Sequence, residues 1–306
     1  MKTTAAVSAL AICAASSAFA ACDSVVMSDV GWTDITTTTA TAKHVLEGLG
    51  YDVDVKILSV PVTFASLESD DVDVFLGNWM PAQNGAIGPY LESGEIEQIN
   101  VNLEGTKYTL AVPAYTWERG LQSYGDIAKF AESLEGKIYG IEPGNEGNAY
   151  LVSLIEENKM GLGDADMEVV ESSEQGMLAQ VARAYKDEQD VVFLGWEPHP
   201  MNANFDLKYL PGGEDFFGGE GVVHTVTRKG FSEECPNLGK LFANMDFTLE
   251  MENGIMGQIL DDGADPEDAT EEWLKANADV LDTWLDGVTA MDGSDAKAAV
   301  SAALGL

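Results

Sequence analysis

Two segments in different halves of the chain have nearly the same sequence. Residues 73–81 read DVFLGNWMP, and residues 190–198 read DVVFLGWEP. Each segment is an apolar run that ends in glycine, and a tryptophan and then a proline follow it. Short apolar runs bounded by glycine and proline are typical of buried β-strands. The repeat therefore predicts a fold of two related halves, each with a buried strand that leads into a tryptophan.

Strands and helices alternate around both copies of this repeat. The first half predicts strands at residues 24–27, 52–60 and 72–76, with helices at 35–49 and 63–69. The second half predicts strands at 136–141, 167–170 and 191–194, with helices at 149–157 and 174–186. Strands separated by helices form parallel βαβ units, and ligands bind beyond the carboxyl ends of such strands. We therefore expect an α/β protein of two lobes whose tryptophans face each other across a cleft.

The chain is predicted to cross between these lobes twice. Lobe 1 consists of residues 21–104 and 214–306, with a helical tail at 266–288, and lobe 2 consists of residues 105–213. The return crossing is expected just after Lys208, where proline and glycine follow. Two lobes joined by two hinge strands can close around a small solute by hinge bending.

The N-terminus has the three parts of a secretory signal peptide. Lys2 supplies a positive charge, residues 5–15 are largely apolar, and residues 18–20 read AFA, a small-x-small cleavage site. We predict that residues 1–20 are removed after Ala20 and that the mature protein is exported to the periplasm. A lipoprotein processing site at residues 19–22, which would place a lipid on Cys22, is the alternative.

Two cysteines remain once the signal peptide is removed, Cys22 and Cys235. An even number of cysteines in an oxidising compartment favours a disulfide. Two free thiols are the alternative.

The charge balance excludes one large class of partner. The chain has 52 acidic and 16 basic residues, which gives a formal net charge of −36. Nucleic-acid binding needs clustered lysine and arginine, and the sequence has no such cluster. We therefore expect no nucleic-acid partner and a solvated acidic surface.

The sequence also lacks the usual catalytic signatures. The three histidines, His44, His199 and His224, are scattered, and no zinc-protease, nucleophile-elbow or P-loop pattern occurs. Carboxylate pairs are always present in so acidic a chain and indicate nothing specific. The sequence therefore predicts neither an enzyme nor a bound cofactor or metal.

Aromatic side chains stand where the predicted strands end. Trp32 and Trp79 follow strands of the first half, Trp196 follows the matching strand of the second half, and Tyr108 lies where the chain first crosses between lobes. Each of them alone is equally compatible with core packing. A quaternary ammonium ion has no hydrogen-bond donor, and proteins bind it with aromatic cages. Aromatic residues at several strand ends therefore favour a cage for such a cation.

Four motifs together resemble the periplasmic choline-binding proteins of ABC importers, within the glycine betaine/choline group of type II solute-binding proteins. They are GWTD at residues 31–34, GNWMP at 77–81, PGN at 143–145 and GWEPHPMN at 195–202. The resemblance covers essentially the whole mature chain and implies a two-lobed type II fold. It also implies that Asp34 and Asn145 bind the polar end of the ligand and that Cys22 and Cys235 form a disulfide. The box around the trimethylammonium group would consist of Trp32, Trp79, Tyr108 and Trp196.

Together these features predict a monomeric solute-binding protein that captures choline by lobe closure and delivers it to an ABC permease in the inner membrane. Glycine betaine, or another methylated amine such as trimethylamine N-oxide, is the alternative ligand. An exported enzyme that acts on quaternary amines is the alternative from a different class. We expect Asp34 to favour choline over betaine, because its charge repels the betaine carboxylate. An N-cap of the helix that starts near Ile35 is the alternative role for Asp34.

Overall fold

A computed structural model describes residues 22–306, so the predicted signal peptide and its cleavage site lie outside the described residues. The first lobe begins with alternating strands and helices: β1 (Ser24–Asp29), α1 (Thr33–Gly48), β2 (Asp52–Ile57), α2 (Val60–Glu68), β3 (Val74–Met80) and α3 (Asn84–Ser93). The long strand β4 (Ile96–Pro113) then carries the chain into the second lobe.

The second lobe contains four further strands and several short helices. Its elements are α4 (Ala114–Glu118), a 3₁₀ helix at Tyr124–Phe130, β5 (Lys137–Tyr139), α5 (Glu146–Glu156), a 3₁₀ helix at Lys159–Gly161, β6 (Glu168–Val170), α6 (Glu174–Lys186), β7 (Phe193–Glu197), α7 (Met201–Asn204) and β8 (Leu207–Tyr209). The chain returns through α8 (Glu214–Phe217) to β9 (Gly221–Arg228) in the first lobe. Six helices follow there: α9 (Phe231–Glu234), α10 (Pro236–Asn244), α11 (Leu249–Leu260), α12 (Pro266–Ala276), α13 (Val280–Trp284) and α14 (Ala296–Leu304).

One strand is shared by the sheets of both lobes. The strand order is β2-β1-β3-β9-β4-β7-β5-β6, and β8 also pairs with β4. The first part of β4 pairs with β9 as far as Thr106, and from Lys107 onwards the strand pairs with β7. The predicted two-lobed α/β fold is confirmed, and β4 is the hinge strand that lies between the two halves of the sheet.

The two strands that carry the sequence repeat are longer than predicted. β3 and β7 run on through Trp79 and Trp196 instead of ending before them. The reason is pairing, because Trp79 lies opposite Val223 of β9 and Trp196 lies opposite Tyr108 of β4. In both copies the peptide bond before the proline is cis.

One strand ends before its predicted boundary because the next helix begins earlier than predicted. The strand predicted to reach residue 60 ends at Ile57, because Ser59 is the N-cap of α2 and Pro61 lies in its first turn. Strand β9 was not among the predicted strands, although it joins β3 to β4 at the centre of the first sheet.

Close packing explains the glycine in each copy of the repeat. A Cβ atom at Gly77 would lie 2.7 Å from the ring of Phe75 and 2.9 Å from Ile35. A Cβ atom at Gly195 would lie 2.9 Å from the side chain of Ala111. All three distances are too short for a Cβ atom. Glycine therefore lets neighbouring side chains pack directly against the backbone just before each tryptophan.

A disulfide joins Cys22, just before β1, to Cys235, at the start of α10, with the Cα atoms 5.8 Å apart. This agrees with the pairing that the resemblance implies. Across residues 22–306, none of the helices has the length and apolar character needed to cross a membrane.

Candidate binding site

All six residues singled out by the sequence lie on the wall of one cavity between the lobes. Its wall consists of Trp32, Asp34, Trp79, Ala82, Gln83, Tyr108, Ile141, Asn145, Glu146 and Trp196. The fold thus brings residues from α1, β3, β4, α5 and β7 to a single place.

Tyr108 is the central ring of the aromatic wall. Its ring centroid lies 6.3 Å from that of Trp79 and 6.4 Å from that of Trp196, with interplanar angles of 67° and 83°. Phe217, behind the wall, packs against Tyr108 at 4.8 Å and 80°. Rings set nearly at right angles to one another form the sides of an enclosure rather than a stack. The negative potential of aromatic faces makes such an enclosure attractive to a cation.

Three of the rings are each held in place by a hydrogen bond from their polar edge. The indole Nε1 of Trp32 donates to Glu142 Oε2 at 2.9 Å, across the cleft between the lobes. The indole Nε1 of Trp79 donates to Asp34 Oδ2 at 2.9 Å. The hydroxyl of Tyr108 donates to Asn145 Oδ1 at 3.0 Å. The bonds of Trp79 and Tyr108 lie within single lobes and orient these rings before closure, which reduces the entropy that binding must overcome, whereas the bond of Trp32 forms when the lobes meet.

Asp34 is a buried acid with one free oxygen. It is 1% exposed, and its Oδ1 atom has no hydrogen-bond partner within the described residues. Burial, and then the nearby charge of Glu174, raise the pKa of Asp34 to about 8. Glu252, also buried, has its pKa raised by burial and by Asp34. When the carboxyl is ionised, Oδ1 is a buried acceptor without a partner, which is costly, so it can accept a hydrogen bond from a ligand.

The N-cap interpretation of Asp34 is wrong. Trp32 occupies the N-cap position of α1, and Asp34 lies one residue inside the helix, in its first turn. Its carboxylate is directed to Trp79 and the cavity.

Asn145 has its oxygen already engaged. Its Oδ1 atom accepts the backbone N–H groups of Gly147 at 2.8 Å and Asn148 at 3.3 Å, which caps α5, in addition to the hydroxyl of Tyr108. Its Nδ2 atom has one long contact, 3.4 Å to Glu142 Oε1. Asn145 can therefore offer a donor to a ligand, whereas Asp34 offers an acceptor.

Two polar residues of the cavity wall were not predicted from the sequence. Gln83 and Glu146 each have a buried side-chain atom without a partner among the described residues, Nε2 of Gln83 and Oε1 of Glu146. Burial, followed by the charge of Glu142, raises the pKa of Glu146 to about 7. Both residues adjoin motifs that were recognised, Gln83 after the first repeat and Glu146 directly after Asn145. Their positions beside these motifs could have indicated that they line the site. Glutamine and glutamate are common surface residues in an acidic chain, so their residue types did not single them out.

No group of three or more potential metal-ligand side chains occurs in the part of the chain that the structure covers.

A two-lobed α/β fold with an aromatic cavity between its lobes is that of a type II solute-binding protein. Residues 23–276 match the model of the OpuAC family, the substrate-binding domain of ABC-type glycine betaine transport systems, and the chain belongs to this family.

Solved structures with the same fold include proteins with methylated amines bound. An ABC-transporter choline binding protein in complex with choline is 56% identical, with a TM-score of 0.89 over 92% of this chain and 98% of that one. Lactococcal OpuAC in its closed-liganded conformation with glycine betaine is 26% identical, with a TM-score of 0.76 over 86% of this chain and 99% of that one.

A curated relative matches part of the chain. It is the glycine betaine/carnitine transport binding protein GbuC of Listeria monocytogenes serotype 1/2a (strain 10403S), which is 35% identical over 136 residues. The match spans 44% of this chain and 45% of the relative.

Proposed function

We propose that this protein captures choline in the cavity between its lobes and delivers it to the permease of an ABC transporter. The observation that carries the proposal is an enclosure of three tryptophans and a tyrosine in which a buried acid, Asp34, keeps one oxygen free. The trimethylammonium group would lie among the rings, and the hydroxyl of choline would donate to Asp34 and accept from Asn145. The choline complex of a 56% identical protein supports the same assignment.

The charges around the cavity favour a cation without a carboxylate. Two acids, Asp34 and Glu146, line it, and the described lining residues include no lysine or arginine. Lys107, which precedes Tyr108, is not one of the described lining residues. Its Nζ atom lies 3.6 Å from Glu197 Oε2. A betaine carboxylate would therefore meet two acids, and no lysine or arginine of the described lining would balance its charge.

One observation favours glycine betaine as the second candidate. Asp34 and Glu146 have pKa values raised to about 8 and about 7, so near neutral pH both can carry a proton. Protonated acids, together with Nε2 of Gln83, would donate hydrogen bonds to a carboxylate. Trimethylamine N-oxide, whose oxygen accepts hydrogen bonds, would use the same groups.

Competition calorimetry with choline, glycine betaine and trimethylamine N-oxide at pH 8.5 tests the proposal. At this pH the ionised acids should give choline the highest affinity of the three. Equal or tighter binding of betaine would overturn the choline assignment. Mass spectrometry of the ligand recovered after long incubation should return it unchanged, whereas turnover would support an exported enzyme.

The bounds of the lobes, the location of the mature protein and its oligomeric state belong to the same proposal. Lobe 1 comprises residues 21–104 and 214–306, lobe 2 comprises residues 105–213, and the mature protein acts in the periplasm as a monomer without a cofactor. Light scattering of the exported protein, with and without choline, should give the mass of one chain in both cases.

A further inference from the structure

The carboxylate of Glu174 connects the two lobes behind the aromatic wall. Glu174 is the first residue of α6 in lobe 2 and is 2% exposed. Its Oε2 atom accepts the backbone N–H of Thr33 at 2.9 Å, and its Oε1 atom accepts the hydroxyl of Thr33 at 2.6 Å. Thr33 is the first residue of α1 in lobe 1. An acid of one lobe thus caps a helix of the other, where the helix dipole favours a negative charge.

His199 holds the same carboxylate from within lobe 2. Its Nδ1 atom accepts the backbone N–H of Met201 at 2.9 Å, so the ring proton is placed on Nε2. Nε2 lies 3.2 Å from Glu174 Oε1 and donates to it. His199 is 2% exposed. Lobe 2 therefore presents an oriented carboxylate, and the helix end of lobe 1 completes its hydrogen bonds.

The Glu174 carboxylate adjoins the aromatic wall without lining the cavity. Thr33 directly follows Trp32, and the ring of His199 packs against Trp196 at 5.0 Å and 75°. Neither Glu174, Thr33 nor His199 is among the described lining residues. Any separation of the lobes would break the bonds to Thr33 and at the same time move Trp32 away from Trp196.

We propose that Glu174 is a closure clasp, a positioning residue that stabilises the closed lobes by capping α1 and thereby assembles the aromatic enclosure without contacting the ligand. Charge-assisted hydrogen bonds are stronger than neutral ones, and these are shielded from water only when the lobes meet. The role in ligand capture rests on the proposed function, but the effect on lobe closure does not.

The test compares the wild type with Glu174→Ala, Thr33→Val and the exposed neighbour Gln175→Ala as a matched control. Stopped-flow tryptophan fluorescence gives the rates of choline association and release, and small-angle X-ray scattering gives the radius of gyration with and without choline. Glu174→Ala should release choline at least tenfold faster with little change in association. Thr33→Val, which keeps the N–H but loses the hydroxyl, should show a smaller acceleration, and Gln175→Ala should match the wild type.

Wild-type release rates in both Glu174→Ala and Thr33→Val would overturn the clasp, as would a loss confined to the association rate. If Glu174→Ala does not fold, as judged by circular dichroism, the Thr33→Val rates decide the question. If the wild type binds no choline, the proposed function fails. The clasp is then judged on the ligand-free proteins, where a larger radius of gyration for Glu174→Ala supports it and an unchanged radius overturns it.

Discussion

The indole nitrogen of Trp79 donates to Asp34 at 2.9 Å, so one ring of the enclosure and its buried acid form a single hydrogen-bonded unit. The bond occupies Oδ2, whereas Oδ1 has no partner in the described chain. Asp34 also lines the cavity. A substitution at either residue will therefore alter both the aromatic wall and the polar end of the site.

The rings of the enclosure should dominate choline affinity. Trp79→Ala or Trp196→Ala removes a desolvated cation–π contact worth about 2 kcal/mol, so each should weaken binding by roughly 30-fold or more. Trp79→Phe keeps a ring but loses the donor to Asp34, and its loss should be smaller. Titration calorimetry measures the affinities, with Trp117→Ala, away from the cavity, as the control. Similar small losses at all three tryptophans would mean that Trp79 and Trp196 are packing residues.

Asp34 should set the preference for choline over betaine. Asp34→Asn keeps the size of the side chain but removes its charge, which should reduce choline affinity about tenfold, the difference between a charge-assisted and a neutral hydrogen bond. Betaine affinity should stay the same or rise, because the repulsion of its carboxylate is lost. Competition binding at pH 8.5 measures the ratio for both proteins. If Asp34→Asn keeps the full wild-type preference for choline, residues other than Asp34 must discriminate between the two ligands.

Stability of the ligand-free protein should fall as pH rises towards 8. The pKa of Asp34 is about 8 in the folded chain against an ordinary value of 3.8, so between these values the folded state holds a proton that the unfolded state has lost. The free energy of unfolding then decreases with pH by up to about 1.4 kcal/mol per pH unit for this group. Glu252 adds to the effect, because burial and the nearby charge of Asp34 raise its pKa as well. Thermal unfolding from pH 5.5 to 8.5 should show a shallower decline for Asp34→Asn than for the wild type.

The protonation of Asp34 should also be coupled to ligand binding. Choline favours ionised Asp34, so its affinity should rise with pH up to about 8 and its binding should release protons. Calorimetry in buffers of different ionisation enthalpy measures this release at pH 7. Binding without proton release would mean that Asp34 is already ionised in the ligand-free protein or does not interact with the cation.

The exported protein should begin at Ala21 and contain the Cys22–Cys235 disulfide. Sulfur in a disulfide cannot also carry a thioether-linked lipid, so the two fates of Cys22 are mutually exclusive. Intact-mass analysis should show the chain from Ala21 with two hydrogens missing, and reduction should add them back. A diacylglycerol mass on Cys22 would establish the lipoprotein alternative instead.

Local patterns in the sequence determined the fold class and much of the cavity wall. Alternating apolar runs and the repeated ending at Gly77 and Gly195 indicate buried strands, because burial of short apolar segments is a local signal. The same endings pointed to Trp79 and Trp196, and motif resemblance added Asp34 and Asn145. The structure brings all of these to one cavity, while their roles in binding stay predictions.

Tertiary structure alone decided which polar groups meet. Thr33 and Glu174 are separated by 141 residues, and Asp34 and Trp79 by 45, so no local pattern connects them. Strand β9 was missed for a related reason, because its place between β3 and β4 depends on a chain that returns from the other lobe. The pKa of an acid and the hydrogen bonds of a buried side chain depend on neighbours that folding supplies, whereas the periodicity of apolar residues is present in the chain before it folds.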